Sequence, residues 1–140
     1  MNGRTTVGYL RPEARLEHFQ AYIERRLSDV DFRLTDVASA FRLSDRYVRR
    51  IFEGTQETPS EYIRRRRLEL AARMLEDRER DHHTILSIAL ECGFNDAAYF
   101  SRCFHESYGL TPRNFRKSRI GRQGLDESER SQSRPLQRRR

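Results

Sequence analysis

Two stretches of this chain set arginines at helical spacing beside aromatic residues, and the chemistry open to that pattern is recognition of an anion. Tyr47, Val48, Arg49, Arg50 and Phe52 recur as Tyr99, Phe100, Ser101, Arg102 and Phe104, displaced by 52 residues. Self-similarity at a fixed offset points to a duplicated structural unit. In the first copy Val48, Ile51 and Phe52 form an apolar stripe at i, i+3, i+4, matched in the second by Phe100, Cys103 and Phe104. The opposite faces carry Arg46, Arg49, Arg50 and Glu53 in one copy and Ala98, Ser101, Arg102 and His105 in the other. A guanidinium presents a planar fork of donors that fits phosphate oxygens or the O6 and N7 edge of guanine. A lone run of charge is usually a solvated helix face. Its recurrence at equivalent positions favours a duplicated reading surface.

The elements that must position these residues follow from apolar spacing and from start and stop signals. Leu16, Phe19, Ile23 and Leu27 mark an amphipathic helix from about Glu13 to Leu27. A short helix at about Leu34 to Phe41 turns Val37, Ala38 and Phe41 inward, and a third runs from Ser44, a good N-cap, to about Gly54. Thr58-Pro59-Ser60-Glu61 joins a capping box to proline at the first helical position, and it opens a longer helix to Leu75 with Ile63, Leu70, Ala71, Met74 and Leu75 on one side. After the polar connection EDRERDHH, Thr84 caps a helix with Ile85, Ile88, Ala89 and Cys92 inward, ended by Gly93. Asn95 or Asp96 caps the next helix, and Thr111-Pro112 starts a last one containing Phe115. No stretch reads as a strand, so the expected class is all-α.

Both copies therefore read as short helix, tight turn, second helix. Ala38 precedes Ser44, and Ala89 precedes Asn95, by the same step. The turn calls for a residue able to take positive φ, which Gly93 suits and its counterpart Arg42 does not. Such a unit can enter a DNA major groove with its second helix.

Composition agrees. The chain has 140 residues and a formal net charge of +7, and Lys117 is the one lysine among 28 basic residues. An arginine-rich cation of this size favours nucleic acid over a membrane surface. No apolar run approaches a membrane span, and MNGRTTVGYLRPEAR lacks the apolar core of a signal peptide, so a cytoplasmic location is expected.

YIRRRRLELAARML followed by ILSIALECGFNDAAYFSRCFHESYGLTPRNFRKSR resembles the DNA-binding domain of AraC/XylS-type bacterial transcription regulators. The most specific part is IALECGFNDAAYFSRCFHESYGLTPRNFR, and the resemblance extends over about residues 13 to 118. It implies seven helices in two helix-turn-helix subdomains joined by a long linker helix. The implied partner is double-stranded DNA at an asymmetric operator, bound by a monomer in successive major-groove segments. Arg46, Arg49, Arg50, Ala98, Ser101 and Arg102 would then read bases, with Tyr99 at the edge. Ser44, Asn95, Arg116 and Lys117 would meet phosphates. The resemblance makes Arg67 a structural residue, and it implies activation with RNA polymerase as a further partner. Family members commonly carry an effector domain before this one, and none is evident in the dozen residues before the first helix.

The expected organisation is a flexible arm over 1–11, a first helix-turn-helix subdomain over 12–57, a linker helix over 58–78, a second subdomain over 79–119 and a disordered basic tail over 120–140. Catalysis is not expected. Asp81-His82-His83 resembles a phosphoesterase signature, but the α/β context and further acidic motifs are missing. Cys92, Cys103, His82, His83 and His105 show no zinc-ligand spacing, so no metal or cofactor is expected. The competing reading is a basic helical module for RNA or an acidic protein. It is disfavoured because Phe52, Phe100, Phe104 and Phe115 fall on apolar phases rather than on exposed stacking faces.

Overall fold

The computed structural model describes residues 11–119. The tail expected over 120–140, and the arm up to residue 10, lie outside the described residues. Among the described residues the regular structure is all helical. Helix α1 is Pro12–Arg26, α2 Leu34–Ala40, α3 Asp45–Phe52, α4 Pro59–Glu76, α5 Ile85–Glu91 and α6 Ala97–Tyr108. A seventh, α7, spans 112–119. Single 3-10 turns at Glu53–Thr55 and Arg78–Arg80 join α3 to α4 and α4 to α5.

Caps decide most of the helix starts. Thr58 Oγ1 accepts from the Glu61 amide at 3.1 Å, and the Glu61 carboxylate accepts from the Thr58 amide at 2.8 Å. The bond from the Thr58 amide, and after it one from the Thr58 side chain, hold the Glu61 carboxyl pKa below its ordinary value. Thr84 Oγ1 takes the Ser87 amide at 3.0 Å, and Thr111 Oγ1 takes the Asn114 amide at 3.2 Å. The cap of α6 is Asp96 rather than Asn95, its carboxylate accepting from the amides of Ala98 and Tyr99 at 2.8 and 3.1 Å.

That cap revises the repeat. The turn bonds Leu43 N–H to Ala38 O and Phe94 N–H to Ala89 O match at an offset of 51, whereas the caps Ser44 and Asp96 match at 52. Pro59 and Pro112, both fully buried behind threonine caps, match at 53. One extra residue therefore enters the second copy at each of its two turns, where a loop absorbs it without disturbing the packed faces.

Two apolar clusters share α4. Phe19, Ile23, Leu27, Val37, Val48 and Phe52 pack with Tyr62 and Ile63 from its first turns. Leu68, Ala71 and Leu75, further along the same helix, pack with Ile88, Ala89, Cys92, Phe100 and Phe104. At 18 residues α4 is about 27 Å long at roughly 1.5 Å per residue, enough to serve both. The handover lies at Arg67, whose Nε donates to Leu27 O at 2.9 Å and whose Nη2 donates to Asp29 O at 2.7 Å. Arg67 is thus turned to structure, the role the family resemblance implied for it.

Candidate nucleic-acid interface

Each copy delivers one polar helix face to solvent because the stripe behind it packs into the core, with only Ile51 half-buried in the first copy. Val48 and Phe52 are 0% exposed, as are Phe100 and Phe104 in the second copy. With those positions fixed inward, helical periodicity forces Arg46, Arg49 and Arg50 outward on α3, and all three are exposed. On α6, Ala98, Tyr99 and Arg102 are exposed and Ser101 is half-buried. The two helices are not remote from one another. Arg49 of α3 and Tyr99 of α6 border a single cleft of about 410 Å³, whose wall between them includes Arg64 and Arg67 of α4 and Gly93 of the second turn.

The ionic state of these arginines differs from that of the linker. On α4, Arg65 pairs with Glu57 and Glu69, and Arg66 pairs with Glu24 and Glu69. Among the described residues no carboxylate forms an ion pair with Arg46, Arg49, Arg50 or Arg102. Arg102 instead lies over the Tyr99 ring at 5.9 Å, which leaves its donors available at the surface. An exposed cation without a carboxylate can bind an outside anion without first breaking a bond.

The expected phosphate contacts separate into two kinds. Ser44, Asn95 and Lys117 are exposed. Arg116 is turned inward: its Nη1 donates to His83 O at 2.8 Å, and its Nε and Nη2 are enclosed. It ties α7 to the connection before α5. At the start of α6 the Asp96 carboxylate already occupies two amides that an incoming phosphate would otherwise meet. Sequence reasoning did not single out Arg15, which is 7% exposed, donates to the Tyr47 hydroxyl and lies over that ring at 4.8 Å. The signal for it was weak, since arginine on the edge of an apolar stripe usually keeps its head in water.

Cys92 and Cys103 are buried free thiols, and burial pushes the Cys92 pKa up to about 12. They behave as small apolar side chains inside the second cluster. No helix among the described residues is long and apolar enough to cross a membrane.

Residues 37–118, more than half of the chain, match a family model described as a helix-turn-helix domain. The chain belongs to the AraC/XylS-type family. Among its relatives, the transcriptional activator RhrA of Rhizobium meliloti is 35% identical over 106 residues, which cover 76% of this chain and 33% of RhrA. Proteins of known structure share the fold. The C-terminal domain of the response regulator yesN from Fusobacterium nucleatum is 28% identical with a TM-score of 0.67, over 74% of this chain and 98% of that one. The DNA-binding domain of AdpA, solved with a target DNA, superposes with a TM-score of 0.67 at 24% identity, over 76% of this chain and 94% of that one. This chain spans about a third of the length of the full-length relatives it matches.

Proposed function

We propose that this family member is a sequence-specific double-stranded DNA-binding regulator of transcription, an activator, that reads two successive major-groove segments with α3 and α6. The observation that carries the reading is that Arg46, Arg49 and Arg50 of one copy and Arg102, the counterpart of Arg50, in the other are exposed without a carboxylate partner among the described residues, on two duplicated helices that border one cleft. Arg46, Arg49 and Arg50 read bases in one segment, and guanine is the base a guanidinium grips through two bonds. In the other segment Arg102 and Ser101 read bases, Ala98 offers only a methyl for contact with thymine, and Tyr99 stands at the edge. The second block of the operator is accordingly the less strictly specified. Ser44, Asn95 and Lys117 meet phosphates, with Arg116 confined to bracing α7. The name of RhrA, an activator, and the target DNA bound by AdpA support this reading. The chain acts as a monomer in the bacterial cytoplasm, recruiting RNA polymerase beside an asymmetric operator.

Hydroxyl-radical footprinting of the purified chain on a duplex that it enriches tests the proposal. Two protected windows on one face of the duplex, about one helical turn apart, are expected. A single window, or protection with no preferred position, would contradict it.

A further inference from the structure

Two helix-turn-helix units on one straight helix are held at a fixed distance along its axis but can still roll about it. Something must fix that roll if both reading helices are to meet one face of a duplex. At Arg67 the two units and the linker helix converge. Arg67, midway along α4, donates from Nε to Leu27 O at 2.9 Å and from Nη2 to Asp29 O at 2.7 Å, the two carbonyls at the exit of α1. On the other side, Gly93, in the turn between α5 and α6, lies against the same atoms. A Cβ added there would stand 2.1 Å from Leu27 O and 2.6 Å from Arg67 Nε. The first unit supplies the carbonyls, the second unit supplies the turn, and the linker arginine lies between them. The same two residues line the cleft bordered by Arg49 and Tyr99, so a shift at this junction is a shift in the relative placement of the two reading faces.

We infer that Arg67 is a positioning residue that sets the phase between α3 and α6, and thereby the base-pair spacing between the two blocks of the operator. It touches no base. A planar guanidinium bonded to two carbonyls of different residues resists rotation as well as separation, which a single bond would not. One added base pair turns the second block by about 34–36° and moves it by about 3.4 Å. A junction locked by Arg67 rejects that change, and a junction without it can follow.

The inference rests on the two-segment reading proposed above, and one experiment separates their failures. Duplexes carrying the two blocks enriched by the wild-type chain are built with the natural spacing and with one or two base pairs inserted or removed. Affinity is measured for the full chain and for Arg67→Ala and Arg67→Lys, with circular dichroism confirming helicity. The wild type should prefer the natural spacing over its one-base-pair neighbours by at least about tenfold. Arg67→Ala should reduce that preference to about threefold or less, and Arg67→Lys, which cannot span both carbonyls in a plane, should fall between. An equal loss of affinity at every spacing would overturn the inference by making Arg67 a general contributor to binding. So would an unchanged preference, or unfolding of both variants, which would make Arg67 a requirement of the fold. A wild-type chain that enriches no two-block site would instead overturn the two-segment reading itself.

Discussion

Arg42 and Gly93 hold the same place in the two turns, and both take positive φ, +56° and +90° respectively. The closing bonds are equivalent, Leu43 N–H to Ala38 O at 2.8 Å and Phe94 N–H to Ala89 O at 2.9 Å. The turn geometry is thus kept although only one copy has the residue that adopts it without strain. Gly93 is held by a second demand, because any Cβ there would collide with Leu27 O. Arg42 is exposed and meets no such limit.

Arg42→Gly should therefore stabilise the protein by about 0.5 kcal/mol, the relief of an αL strain of about 1–2 kcal/mol less an unfolded-state entropy cost of about 0.4–1 kcal/mol. Gly93→Ala should destabilise it by at least about 2 kcal/mol, combining the strain with an overpacked contact. Denaturant unfolding measures both. Equal and small effects at the two positions would show that neither the αL strain at Arg42 nor the Cβ collision at Gly93 weighs on stability.

Arg50→Ala and Arg102→Ala remove counterparts in the two copies, and each should cost about 1–3 kcal/mol on the cognate duplex while relaxing preference at one or two base pairs. Titration against a panel of single-base variants of the operator resolves the two effects. A uniform loss over every sequence would reassign the arginine to phosphate.

Much of this was legible in the sequence because the signals were local. The helix start at Thr58-Pro59-Ser60-Glu61 depends on four adjacent residues, and the reading faces follow from apolar spacing within a few helical turns. Less legible were features in which backbone and side chain choose among partners far apart in sequence. Asn95 and Asp96 are both good caps, and the choice of Asp96 depends on an extra residue in the second turn that periodicity does not register. Arg116 looks like any surface cation near a basic C-terminus, yet it is drawn to the carbonyl of His83, 33 positions away in sequence. Arg15 is likewise recruited inward by Tyr47.

The α6 cap carries a further test. Asp96→Ala leaves the Ala98 and Tyr99 amides without their side-chain acceptor, and it should cost about 1 kcal/mol of stability. Asn95→Ala should cost little, since that side chain is exposed and is not the cap. Thermal unfolding of the two variants distinguishes them, and the reverse order would move the cap to Asn95.

Glu24 links α1 to α4, accepting from Arg66 Nε at 2.5 Å and from the Tyr62 hydroxyl at 3.1 Å. Burial pushes its pKa up, but Arg66 and Tyr62 outweigh that and hold it below the ordinary 4.5. A carboxylate with a lowered folded-state pKa stabilises above its unfolded value, and that contribution fades as pH falls through the folded value. The stability advantage of wild type over Glu24→Gln, at most about 1 kcal/mol for a partly exposed pair, should be full at neutral pH and shrink progressively below about pH 4.5. A gap that stays constant between neutral pH and pH 3 would show that the ionised form of Glu24 is not what Arg66 holds.

The most direct measurement is selection from a random duplex DNA pool with the purified chain, followed by titration of the enriched site against a scrambled one at physiological salt. The expected result is an asymmetric site with two short blocks about ten base pairs apart, one guanine-rich and strictly specified, the other more tolerant. Salt-sensitive binding to every duplex with no sequence enriched would contradict recognition of two major-groove segments, and would reduce the exposed arginines of α3 and α6 to a general attraction for phosphate.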